Sequence, residues 1–156
     1  MPKQKITISV IGGHDSNHEV ECLAHKIGNI VAKVDAILVC GGLKGVMMAV
    51  CKGAKEAGGT TIGILPGKEK IDANPYVDIA LPTSMGYSRN TIVACSADII
   101  VALPGSHGTS SEISYGLVFG KPIIDLGGWD REGMIKVKDL QQTEDKIKAL
   151  IREIKK

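Results

Sequence analysis

Continuous apolar runs alternate along the chain with longer stretches in which apolar residues recur at helical spacing. "KITISVIGG" predicts a first strand ending at Gly12-Gly13, and a helix follows over about 17–32. "AILVCGG" predicts a second strand, stopped at Gly41-Gly42. The next helix places Val46, Val50, Ala54 and Ala57 on one face and ends at Gly58-Gly59. "TTIGILPG" is a third strand, and "VDIALP" a short fourth after a polar loop. "SRNTIVACSA" reads as helix and "DIIVALPG" as a fully buried strand; a helix over 109–119 then leads to "KPIIDLGG". In the tail, "TEDKIKALIREIKK" sets Ile147, Leu150, Ile151 and Ile154 on one stripe, with Glu144 and Asp145 near the N-terminal end.

Strands of continuous apolar residues belong to sheets covered on both faces. Their alternation with helices gives parallel strands joined by right-handed crossovers. The expected fold is therefore a single α/β domain over 1–156, with a doubly wound, mainly parallel, Rossmann-like sheet and helices on both faces.

Of the 19 glycines, eleven follow predicted strands, among them Gly12, Gly13, Gly41, Gly42, Gly45, Gly105 and Gly108. In an open parallel sheet these turns share the edge where ligands bind. Glycine lets backbone N–H groups approach an anion, and helix N-termini at that edge favour negative charge. Tight strand-to-helix turns account for some of these glycines, but their concentration favours a phosphate-bearing ligand.

Charge and composition narrow the partners. A net charge of +2 gives no broad basic footprint for nucleic acid or membrane, and 3% aromatics leaves little to stack on exposed bases. No apolar run reaches the length of a membrane span, and "MPKQKITISV" lacks a secretory h-region. Cys22, Cys40, Cys51 and Cys95 are scattered through apolar segments, without metal-ligand spacing, so reduced and mostly buried cysteines in a cytoplasmic protein are expected. No cofactor requirement and no metal site are predicted.

Several residues carry candidate chemistry. "GGLKGVMM" lacks the GK[ST] of a Walker A loop, and the first turn has no GxGxxG, which argues against phosphoryl transfer from ATP and against ordinary dinucleotide binding. Lys44 and Arg89 stand near helix N-termini, where a cation is misplaced by roughly 0.3–1 kcal/mol unless an anion lies nearby. Lys44 otherwise reads as a solvated lysine, and Arg89 as one paired with a neighbouring acid. Arg89 offers a bidentate fork to phosphate. His14 and His107 fall in ligand-edge turns, as phosphate donors, acid–base groups or solvated side chains. Thr109-Ser110-Ser111-Glu112 fits a capping box, Thr109 capping the helix and Glu112 returning to its backbone.

These motifs resemble a known family. "PGSHGTSSE" resembles the PGGxGTxxE signature of the Lonely Guy proteins, long mislabelled lysine decarboxylases, and "CGGLKGVM" resembles their GGGxxGLM segment. The similarity runs from the first strand to about Leu126, and "GYSRNTIVACSADIIVALPG" looks closest to the molybdenum-cofactor carrier-like branch. Four positions depart from the Lonely Guy pattern. Cys40 replaces the first glycine of GGG and Ser106 the second of PGG, Met48 stands where glycine is usual, and Asn90 replaces a lysine. The resemblance implies a phosphate cradle at Gly41, Gly42 and Gly45 and at Gly105, Gly108 and Thr109; the ligand-edge turns add Gly12, Gly13, His14, Lys44, Met47, Asn90, Pro104, Ser106 and His107 as candidates around the ligand. It maps the family's catalytic arginine and glutamate onto Arg89 and Glu112.

Two functions compete. The first is a binding protein for a phosphorylated nucleotide or a pterin-type cofactor such as the molybdenum cofactor, with Arg89 clamping the phosphate and Glu112 shaping the pocket. The alternative is a nucleoside 5′-monophosphate phosphoribohydrolase, in which Glu112 acts on the glycosidic bond. Glycosidase chemistry ordinarily uses two carboxylates, and Asp15 is the available candidate for the second. A nucleotide-sensing module is a third idea. No lysine stands out as a Schiff-base former, so a decarboxylase is not expected. The resemblance also implies a homo-oligomer, a dimer or tetramer, with Met47-Met48 and "SYGLVF" as apolar surfaces.

Overall fold

"DIIVALPG" folds as the sequence pattern demands: Ile99–Ala102 is a strand whose four residues are all buried, inside one seven-stranded sheet next to its central strand. The computed structural model of the chain describes residues 3–156. The strands are β1 (Thr7–Ile11), β2 (Ile37–Cys40), β3 (Thr60–Leu65), β4 (Ile79–Pro82), β5 (Ile99–Ala102), β6 (Ile123–Asp125) and β7 (Ile135–Lys136). Their order is β4-β3-β2-β1-β5-β6-β7, and every pairing is parallel. The expected Rossmann-like α/β sheet is thus present, wholly rather than mainly parallel. β7, only two residues long, was not legible as a strand.

Five α-helices cover the sheet: α1 (His18–Lys33), α2 (Val46–Glu56), α3 (Asn90–Cys95), α4 (His107–Val118) and α5 (Leu140–Ile154). One core layer joins α1, α2 and α5 to the sheet through Ile27, Val31, Val50, Ala54 and Ile147. The other lies under α3 and α4, around Val93, Ala94, Ile100 and Ile113. α1 and α2 approach closely because Gly28 and Gly53 carry no side chain; a Cβ on Gly53 would lie 1.9 Å from the His25 carbonyl oxygen. Among the described residues no helix is long and apolar enough to cross a membrane.

Some expectations are corrected here. α5 starts at Leu140, where Asp139 accepts from the Gln142 N–H, so Glu144 and Asp145 lie in its second turn. Ile154 is exposed rather than packed. Cys22 and Cys95 are exposed; Cys40 and Cys51 are buried, and all four are free thiols.

The order in which strands are added reverses between β1 and β5. Successive strands build outward from β1 through β4, and β5 then returns to β1's other side. Ligands in open α/β sheets bind at such a switch point, beyond the C-terminal strand ends. Here the two strands stay joined past their ends, Leu103 N–H donating to Ile11 O (2.8 Å) and Gly13 N–H to Pro104 O (3.0 Å).

Candidate anion site at the switch point

A cavity of about 1060 Å³ opens beyond the C-terminal ends of β1, β2 and β5. Its size is that of a site for a drug-sized ligand rather than a lone inorganic ion. The structure brings together Gly12, Gly13, His14, Gly41, Lys44, Met47, Arg89, Asn90, Ser106, His107, Gly108, Thr109 and Glu112 in its lining. Gly42, Gly45, Pro104 and Gly105 lie behind that lining.

Those hidden glycines have structural work. Gly45 adopts φ +67°, and a Cβ there would lie 2.5 Å from Gly13 O; Gly13 O in turn accepts from Val46 N–H at 3.0 Å. The first turn of α2 is therefore partly satisfied by the protein itself. A Cβ on Gly105 would lie 2.1 Å from Thr109 Oγ1 and 2.9 Å from Gly13 N, so glycine allows the β5–α4 turn to close against β1. Cys40, in place of the first glycine of GGG, turns its sulfur back on the same loop. It accepts from Gly42 N–H (3.3 Å) and lies 3.4 Å from Cys51 Sγ. Sharing that Cys51 hydrogen bond holds the Cys40 thiol below its ordinary pKa and pushes Cys51 up.

α4 is different. It begins at His107 with Ser106 as its N-cap, and no side chain caps it. This overturns the expected capping box: Thr109 lies inside the first turn, and Glu112, five residues past the first helical position, is too far along to reach back to the cap. Ser110 N–H to Ser106 O (2.9 Å) is the first hydrogen bond of the helix, which leaves the preceding N–H groups pointing at the cavity end.

Arg89 enters the floor from a short 3-10 helix, Gly86–Arg89, that runs into α3. It is only 7% exposed. Nε donates to Ile64 O (2.8 Å), one terminal nitrogen to Asn90 Oδ1, and the other to Gly41 O (3.4 Å). Three of the five guanidinium N–H donors are thereby engaged, and two are left over. Gly41 matters sterically, since a Cβ there would sit 2.8 Å from the guanidinium. Among the described residues no carboxylate forms a salt bridge with Arg89; the neighbouring acid, Glu112, acts on it through charge without a hydrogen bond. Asn90 passes the link onward: its Nδ2 donates to Gly108 O (3.2 Å) and Ser111 Oγ (3.1 Å). A lysine here would supply charge; Asn90 instead ties the arginine to the first turn of α4.

Glu112 is 7% exposed, lines the cavity and makes no hydrogen bond to the described protein. Burial pushes its pKa up to about 8, against the pull of the Arg89 charge. Burial likewise draws Arg89 below its ordinary value, Glu112 opposing, but an arginine stays cationic. The floor therefore combines a carboxyl held toward its protonated form, an arginine with spare donors and an open helix N-terminus.

The sequence reading missed the outer wall, formed by Leu43, Met48, Pro66, residues 71–75 and Tyr87. Apolar residues dispersed in a polar loop gave no signal for it. Met47 and Met48 line the cavity and do not form an outward apolar surface. Asp15 is absent from the lining, whereas Asp72 is in it. Among the described residues no group of three or more His, Cys, Asp or Glu could hold a metal ion.

Known proteins share this architecture. The molybdenum cofactor binding protein of Rippkaea orientalis superposes with a TM-score of 0.90 at 31% identity, over 96% of this chain and 99% of the other. The molybdenum cofactor carrier protein of Chlamydomonas reinhardtii gives 0.87 at 33% identity, over 96% and 99%. A cytokinin riboside 5′-monophosphate phosphoribohydrolase of Rhodococcoides fascians is 31% identical over 97 residues, 58% of this chain and 48% of that relative. The match thus spans about half the enzyme's length. With its residues 5–153 matched by the family model, the chain belongs to the SLOG cluster4 family.

Proposed function

We propose that this protein binds a phosphorylated nucleotide or cofactor, holding the phosphate between Arg89 and the first turn of α4. The observation that carries this reading is a buried guanidinium with no carboxylate partner and two spare donors. An uncompensated buried charge is costly, and a ligand anion would relieve it. The open amides of His107, Gly108 and Thr109 supply further donors, in the manner of phosphate sites at helix N-termini. A protonated Glu112 donates a hydrogen bond instead of repelling the anion. Structural likeness to molybdenum cofactor carriers makes that cofactor a candidate cargo, held by hydrogen bonds and charge at its phosphate.

Calorimetric titration with phosphorylated ligands tests the reading. Binding that Arg89→Ala weakens by at least tenfold supports it; equal binding by both proteins sinks it.

A second reading, hydrolysis of a nucleoside monophosphate, is favoured by Glu112 itself. A carboxyl with a pKa near 8 has the property of a general acid, and Asp72 supplies a second carboxylate in the lining. Release of free base and ribose 5-phosphate, lost in Glu112→Ala, would favour the enzyme over the carrier. The exposed Tyr115 and Val118 on α4, with Phe119 just after it, support the homo-oligomer reading, which sedimentation of the purified chain tests.

A further inference from the structure

Two apolar side chains in the cavity lining face water almost completely: Ile71 is 89% exposed and Tyr87 80%. Single exposed apolar residues need no explanation. These two stand at the mouth of one cavity, on separate segments that the structure has fixed in place. Ile71 lies in a 3-10 turn, Lys70–Asp72. The chain just beyond is pinned to the β2–α2 turn, Asn74 N–H donating to Gly42 O and Asn74 Nδ2 to Leu43 O, both at 2.9 Å. Tyr87 belongs to the 3-10 turn that carries Arg89 into the floor. Gly86 N–H donates to Pro66 O (2.9 Å) and Ser84 N–H to Gly67 O (2.9 Å), which joins the two segments into one rim.

Position relative to the floor gives the rim its meaning. Tyr87 precedes Arg89 by two residues, and Arg89 turns inward while Tyr87 stays out. The Tyr87 ring edge lies 3.9 Å from where a Cβ on Gly108 would stand, beside the first turn of α4. A ligand whose anion reaches Arg89 and that turn therefore shares its cavity with Tyr87. Met48, with its soft sulfur suited to aromatic contact, and Leu43 continue the apolar wall.

We infer that Tyr87 and Ile71 form a subsite at the cavity mouth for a flat heteroaromatic ring, attached to the phosphate held at the floor. This rests on the phosphate-binding reading above and adds to it the residues that would select a heteroaromatic phosphate ester over a bare sugar phosphate. A tyrosine face stacks on any such ring, typically changing affinity about tenfold or more when removed. A free sugar phosphate would leave the rim in water.

Calorimetry on the full chain separates the two layers of the argument. The probes are adenosine and guanosine 5′-monophosphate, ribose 5-phosphate and geranyl monophosphate. The expected result is at least tenfold tighter binding of a nucleotide than of ribose 5-phosphate. Tyr87→Ala removes that gap without weakening ribose 5-phosphate, Tyr87→Phe preserves it, and Ile71→Ala narrows it. A gap that is absent, or that Tyr87→Ala leaves intact, overturns the ring subsite while ribose 5-phosphate binding upholds the floor. Preference for geranyl monophosphate over both nucleotides also overturns it, in favour of an alkyl occupant. If no probe binds in an Arg89-dependent way, the phosphate reading falls and the inference falls with it.

Discussion

Two glycine-rich turns that look alike in sequence, Gly41–Gly45 before α2 and Gly105–Thr109 before α4, have come to opposite uses. Before α2, Gly13 O occupies the first turn by accepting from Val46 N–H, and Gly42 and Gly45 take positive φ under backbone packed close on them. Neither helix has a side-chain cap, but before α4 no described carbonyl plays the part of Gly13 O, and Gly108 has nothing within 3.6 Å of its missing Cβ, the nearest atom being Asn90 Nδ2 at 3.7 Å. One amide of the first turn is taken by Gly13 O in joining two loops; the second turn keeps all of its donors for a ligand. Glycine in such motifs therefore marks either a backbone contact within the protein or one offered outward, and only what faces the amides tells which.

The largest way to break this contrast is Gly45→Ala. A Cβ there combines a left-handed backbone with a 2.5 Å approach to Gly13 O. The expected loss is about 3 kcal/mol, which thermal denaturation would register as a fall of roughly 10 °C.

Glu112→Gln comes next and sharpens the electrostatics of the open turn. With its folded pKa raised to about 8 from 4.5, Glu112 keeps its proton in the native state while the unfolded chain has lost it. Across that window the unfolded state binds fewer protons, so stability falls as pH rises. Wild type should lose stability between pH 4 and pH 8 that the variant keeps, measured by denaturant titration at each pH. Parallel profiles for the two proteins would mean that Glu112 titrates normally.

Gly108→Ala is the smallest and most selective. Alanine suits the second helical position, so stability should change by less than about 0.5 kcal/mol. The added methyl, lying toward Asn90 and Tyr87, should weaken phosphate binding about tenfold. Loss of stability without loss of binding would place the α4 turn with the α2 turn, as scaffold.

The strands were legible because a doubly covered parallel sheet demands uninterrupted apolar runs, as in "DIIVALPG" and "AILVCGG". β7 was not, since two residues carry no period. The start of α4 was misread because Thr109 and Glu112 have the types and spacing of a capping box, while the actual first residues are His107, a middling helix former, and Gly108, a poor one. Arg89 stood out through its mismatch with a helix start, a signal that burial without an acidic partner explains. Asn90, which looked like the loss of a cation, is the link from Arg89 to α4, a role that depends on a contact across 18 residues of chain. The outer wall of the cavity follows from tertiary pinning of Asn74 to the β2–α2 turn, which no local pattern encodes.

Amide chemical shifts during titration with a phosphorylated ligand test the central claim most directly. The account predicts large, saturable movement of the His107, Gly108 and Thr109 N–H signals, with Val46 N–H left nearly still because Gly13 O already occupies it. Movement centred on Gly42–Val46, or none at Ser106–Thr109, would contradict it.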